Sequence, residues 1–147
     1  EKDTGLNMQF NGKSFIEGLK IVNKKDGNMD WVLTAKRADI TEKGENVRLS
    51  AIEMTLADNG ITIYADNGVY HPDSKNLTVD GRVTARMDDV SITTEDIELD
   101  SRAGIIKTEN PVIVRGNNFS LRGRGIEIRN ADQRVRILSN VKATFNN

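Results

Sequence analysis

Few residues in this chain are placed to do covalent chemistry. His71 is the single histidine, it sits in the polar stretch HPDSK (71–75), and there is no cysteine. A serine or cysteine nucleophile needs a base held beside it, so this composition gives such an enzyme no support. Carboxylates are more abundant: Asp66, Asp80, Asp88, Asp89, Glu95, Asp96, Glu98 and Asp100 form an acidic run. A pair of carboxylates across a sugar would cleave a glycosidic bond. Most of these, however, alternate with apolar residues, as the wet face of a strand does. No D-x-[DN]-x-[DN]-G calcium loop occurs, and without thiols no thiolate metal site exists. Gly116, Gly123 and Gly125 do not make a phosphate loop, because no helix follows them. The expectation is a protein without catalytic residues, metal or cofactor.

The remaining chemistry is binding. The basic residues Arg115, Arg122, Arg124, Arg129, Arg134, Arg136 and Lys142 gather late in the chain. They suit lipid phosphates or an acidic partner, and equally a solvated outer face balanced by the acidic run. A net charge of −1 over 147 residues argues against non-specific nucleic-acid binding. No run approaches the ~20 apolar residues of a membrane-spanning helix. Cysteine-free composition fits cytosol or periplasm alike.

The elements that position these groups come from an internal repeat. Residues 61–89, 90–118 and 119–147 are three copies of one 29-residue unit, and a looser copy occupies 31–60. Stacking the copies aligns Ile63 with Ile92 and Leu121, and Leu77 with Ile106 and Val135. Within a unit, Ile61, Ile63 and Ala65 alternate with polar residues, the period of a strand with one buried face. The phase then slips by one, from Ala65 to Gly68, and again at Ala35 to Ala38, Thr94 to Ile97 and Gly123 to Ile126. A slip at the same place in every unit predicts a bulge or corner. Tight turns follow near 71–75, 100–104 and 129–133. The second half alternates again through Leu77, Val79, Gly81, Val83 and Ala85, so each unit reads as a β-hairpin with a kinked first strand. Pro111 reads as opening a strand over 112–114 and Gly18 as a bulge. Before the repeats, residues 1–14 read as a poorly ordered segment, and Phe15–Val22 as a first strand followed by an Asp26-Gly27 turn. The domain is thus 15–147, all β, with no long helix.

With the repeats in view, the chain resembles the LptC-type periplasmic proteins of lipopolysaccharide transport. The matching stretches are WVLTAKRADI (31–40), ADNGVY (65–70), LTVDGRV (77–83), ITTEDIELD (92–100), KTENPVIV (107–114) and LRGRGIEI (121–128). They cover about residues 15–145. The resemblance implies an open-ended twisted β-jellyroll of antiparallel hairpins, two facing sheets with an apolar groove between them. It implies a non-enzymatic component that receives lipopolysaccharide from an inner-membrane ABC transporter and passes it along a periplasmic bridge. The related LptA-type bridge protein is soluble, whereas LptC-type members carry an N-terminal transmembrane helix. The Trp-led strand favours the LptC type, and a tether preceding this sequence is the expectation.

The residues expected to face the acyl chains of lipid A are Leu33, Ile40, Leu49, Ile63, Leu77 and Val79, then Ile92, Leu99, Ile106, Leu121, Ile128 and Ile137. A dry core would use the same residues. Small residues in the column (Ala65, Gly81, Ala85, Gly123, Ala143) would leave room between sheets, and they would equally permit closer packing. Two edges are expected to be free for strand addition by the bridge protein. Phe15, Leu19 and Ile21 mark the first, and Val135, Ile137, Val141, Ala143 and Phe145 the last. A structural β-repeat protein without a lipid ligand remains the alternative.

Overall fold

Period-two alternation over ten to thirteen residues turns every repeat into a pair of long strands. The computed structural model describes residues 14–25, 27–41, 44–57, 60–129 and 134–145. Its strands are β1 (Ser14–Lys25), β2 (Asn28–Ile40), β3 (Val47–Leu56), β4 (Thr62–His71), β5 (Asn76–Met87), β6 (Val90–Asp100), β7 (Ile105–Arg115), β8 (Phe119–Arg129) and β9 (Arg134–Phe145). They pair in sequence order as one antiparallel nine-stranded sheet, with β1 and β9 at its edges. The turns at 71–75 and 100–104 are present: Lys75 N–H donates to the His71 carbonyl (2.7 Å), and Gly104 N–H to that of Asp100 (2.9 Å). The turn expected at 129–133 and the poor order expected for 1–13 lie outside the described residues. Ser14, included in that segment, already begins β1.

A corner crosses nearly every strand at mid-length. Buried positions step by three at Ala35–Ala38, Leu49–Ile52, Ala65–Gly68 and Thr94–Ile97. That keeps the apolar side inward on both arms of a bent strand. Positive φ marks the same line at Gly18 (81°), Ala51 (56°), Gly81 (79°), Arg82 (49°), Gly125 (82°) and Asn140 (55°). The bend is largest in consequence at Trp31 and Tyr70. The ladder sets Trp31 opposite Leu56, whose N–H donates to the Ile61 carbonyl, so Trp31 lies level with Ile61. Nine residues of straight strand would carry Tyr70 about 30 Å away. Instead the two rings meet edge to face at 6.2 Å and 80°. The two facing layers are therefore the two arms of one folded sheet.

Three expectations need correction. The second strand of each unit bends as well as the first: buried positions jump from Val79 to Val83 in β5 and from Thr108 to Val112 in β7. Pro111 does not open a strand but lies inside continuous β7, at the register shift of its corner. Ladder hydrogen bonds lapse at a corner, so a missing N–H costs nothing there. The Pro111 carbonyl still accepts from the buried Thr94 hydroxyl at 2.9 Å. Gly18 turns its strand through positive φ with the register intact on either side, Glu17 opposite Arg37 and Leu19 opposite Ala35. The β1 register shift falls at Asn23/Lys24.

Side chains satisfy what the corners leave open. Asp96 Oδ1 accepts from Thr108 Oγ1 (2.8 Å) and Asn110 Nδ2 (2.9 Å) where β6 and β7 part. Asp66 receives Arg82 Nε at 3.0 Å across the β4–β5 corner. That guanidinium is largely in water, so the pair adds little stability. Gly68 serves packing rather than conformation. A Cβ there would stand 2.5 Å from Ile52 Cδ1 and 3.0 Å from the Thr78 carbonyl oxygen.

Candidate lipid-binding interior and strand edges

The inward faces of the two arms form one continuous apolar cluster from Leu19 to Ile128. Ten of the twelve residues expected to line a groove are buried in it: Leu33, Ile40, Leu49, Ile63, Leu77, Val79, Ile92, Leu99, Ile106 and Ile128. The other two, Leu121 and Ile137, are only partly buried and pack against its end. The interior is thus closed along most of its length and uncovered at one end.

Trp31 and Tyr70 fill the interior toward the N-terminal edge and are 1% and 0% exposed. Neither Trp31 Nε1 nor the Tyr70 hydroxyl has a hydrogen-bond partner. Burial raises the Tyr70 hydroxyl to about 12, because the phenolate would lose its water.

The opposite end is built by the terminal hairpin. Val135 stands across from buried Ile128, and Ile137 across from buried Ile126, so both lie on the inward face. Yet Val135 is 38% exposed, Val141 52% and Phe145 72%. β9 flanks β8 in the sheet, and among the described residues no strand flanks β9 on its other side. Phe145 meets Phe119 across the hairpin with ring centroids 6.4 Å apart. Phe119 and Leu138, the latter 45% exposed, belong to this uncovered end and were not singled out from the sequence. The signal for Phe119 was available: the first residue of a unit falls opposite the end of its second strand, and only the last unit carries Phe at both places.

Of the residues assigned to the edges, Val135, Ile137, Val141, Ala143 and Phe145 share β9. Phe15, Leu19 and Ile21 share β1. Leu19 and Ile21 point inward and are buried, whereas Phe15 is half-exposed and its ring lies 4.3 Å beneath the Arg37 guanidinium. Of the acidic run, Asp80 and Asp96 stand directly opposite each other on β5 and β6. No group of three or more metal-ligating side chains forms among the described residues. His71 is the last residue of β4, at its turn.

Residues 11–146 match the family described as lipopolysaccharide-assembly, LptC-related. The chain belongs to that family. Its role accordingly lies in lipopolysaccharide transport, in which LptC-related and LptA-like proteins act in the periplasm. Among solved structures it is similar to LptH, the LptA-homologous periplasmic component of the lipopolysaccharide transport device of Pseudomonas aeruginosa. That similarity has a TM-score of 0.60 at 9% identity and covers 80% of this chain and 95% of LptH. At that identity the likeness establishes the β-jellyroll fold alone. No curated protein matched the sequence. Among the described residues of this LptC-related chain, no helix is long and apolar enough to cross a membrane.

Proposed function

We propose that this protein takes up the acyl chains of lipopolysaccharide between the two arms of its sheet, entering at the uncovered β8–β9 end. The observation that carries this reading is the end of burial: an inward apolar face continuous with the core emerges into solvent at Leu121, Ile137, Val141 and Phe145. Acyl chains seated there would remove that surface from water at roughly 25 cal/mol per Å². Chains advancing inward would exchange one apolar contact for another, at the cost of parting the arms. Lipopolysaccharide supplied by an inner-membrane ABC transporter is taken up at the β8–β9 end and handed on from there to a periplasmic bridge protein that adds a strand to β9. A transmembrane tether preceding this sequence would hold the protein near the transporter, as in LptC-type proteins. An LptA-type soluble subunit would use the same interior and edges.

A structural repeat protein without lipid is the second reading, and the closure around ten of the twelve inward residues favours it. Gel filtration after incubation with lipopolysaccharide separates the two. The lipid reading expects co-elution with intact lipopolysaccharide and none with its deacylated polysaccharide. Failure to retain either would leave the structural reading standing.

A further inference from the structure

The outer face of the terminal hairpin carries an arrangement that folding alone does not favour. Arg129 stands directly opposite Arg134, and Arg122 directly opposite Lys142. Residues directly opposite in an antiparallel pair share a face with Cβ atoms about 5 Å apart, and like charges there are destabilising. Relief nearby is scarce. Glu127 is the single acid on the outer side of the hairpin's described residues; it stands directly opposite Arg136 and is engaged by Arg129 at 3.2 Å. Among the described residues, no carboxylate lies within ion-pair distance of Arg122, Arg134, Arg136 or Lys142. β9 itself carries Arg134, Arg136 and Lys142 with no acid between 134 and 145, and all three are exposed.

The charge is segregated along the sheet. Residues 105–145 hold eight Lys and Arg against three Asp and Glu, whereas residues 61–100 hold nine Asp and Glu against three Lys and Arg. The opposite edge is not complementary to β9. Leu19 and Ile21 point inward on β1, which leaves Lys20 and Lys24 exposed on its outer side with Glu17 as the single acid.

We infer that β9 selects by charge, accepting a partner edge strand whose outward residues are Asp or Glu and rejecting the β1 edge of a second copy. This rests on the reading of β9 as a strand-pairing edge. A strand added to β9 sets its outward side chains at cross-strand distance from Arg134, Arg136 and Lys142, where carboxylates complete the pairs that the hairpin lacks. A second copy brings lysines to the same places. Main-chain bonds would hold either strand, and charge decides between them. The chain therefore does not string itself head to tail and joins only a different protein.

Two fluorescent twelve-residue peptides test this, one alternating Thr and Val with Glu at every fourth residue and one with Lys in those places. Anisotropy should show the Glu peptide binding about tenfold or more tightly than the Lys peptide at low salt, with the gap closing as salt rises. The triple variant Arg134→Glu, Arg136→Glu, Lys142→Glu should invert the preference. It should also self-associate in sedimentation, where the native chain stays monomeric. The reversal converts Arg129/Arg134 and Arg122/Lys142 into opposite-charge pairs and turns Glu127/Arg136 into a like-charge one, so a melt checks that the variant folds. Equal binding of both peptides overturns charge selection while leaving strand pairing intact. Binding of neither overturns both. Loss of phosphatidylglycerol vesicles by the triple variant, without peptide preference in the native chain, overturns the inference in favour of an anionic lipid surface.

Discussion

Replacing Tyr70 with Phe should make the protein more stable, although it deletes the polar end of a fully buried residue. The Tyr70 hydroxyl has no partner, and its ring packs edge to face on Trp31 at 6.2 Å. Phe keeps the ring and the aromatic pair, itself worth about 1 kcal/mol beyond burial. It removes a buried donor and acceptor whose desolvation is uncompensated, a penalty of about 1–3 kcal/mol. For a domain of this size each 1 kcal/mol moves Tm by roughly 2–4 °C. The alkaline limb supplies a second reading. Burial raises the Tyr70 hydroxyl from its ordinary value of 10.0 to about 12. Below pH 10 the folded and unfolded chains both hold this proton and nothing is lost. Between pH 10 and 12 the unfolded chain ionises while the folded one does not. Stability then falls, by an amount on the order of 2 kcal/mol once pH passes the folded value. Urea melts of both proteins at pH 7, 10 and 11 should show Tyr70→Phe ahead throughout and its lead widening above pH 10. A variant that is less stable at pH 7 and shows the native alkaline slope would refute this reasoning and mean that the hydroxyl is hydrogen-bonded in solution.

Three further outcomes are expected. Ile92→Asp places an unpaired carboxylate at a site 3% exposed, which should cost several kcal/mol in a urea melt and abolish lipopolysaccharide retention in the surviving folded fraction. Gly68→Ala drives a methyl into Ile52 and the Thr78 carbonyl and should lower stability by about 1–3 kcal/mol, with no change in charge or edge. Proline at Lys142 or at Ala143 should separate two roles of β9. Ladder bonds alternate along a strand, so one replacement strikes an N–H bonded to β8 and lowers the melt. The other strikes the free edge and abolishes pull-down of the bridge protein from a folded domain.

The corner was legible where it broke the alternation. A step of three, as at Ala65–Gly68, reverses parity and shows as a phase slip in the sequence. A step of four, as at Val79–Val83, preserves parity, so the bend in β5 leaves the pattern apparently unbroken. The same even step at Thr108–Val112 hid the bend in β7, and Pro111 then read as the start of a strand. Both free edges followed from hairpins stacked without a closing strand. What alternation does not encode is whether anything lies over a face. Leu99 and Val141 occupy equivalent-looking apolar positions, yet one is 5% and the other 52% exposed, because β6 has neighbours on both sides and β9 has one. The pairing of Trp31 with Tyr70 was equally hidden, since it depends on how far the arms fold.

Acyl chains that enter between the arms from the β8–β9 end should touch inward residues in order of depth. Photo-crosslinking from single inward and outward positions, with lipopolysaccharide added, measures this most directly. Strong capture is expected at Ile137 and Leu121, weaker capture at Ile92 and Ile63 deeper in the interior, and background at Thr62 and Thr93 on the outer face. Equal capture at inward and outward positions, or capture at Thr62 and Thr93 alone, would contradict it.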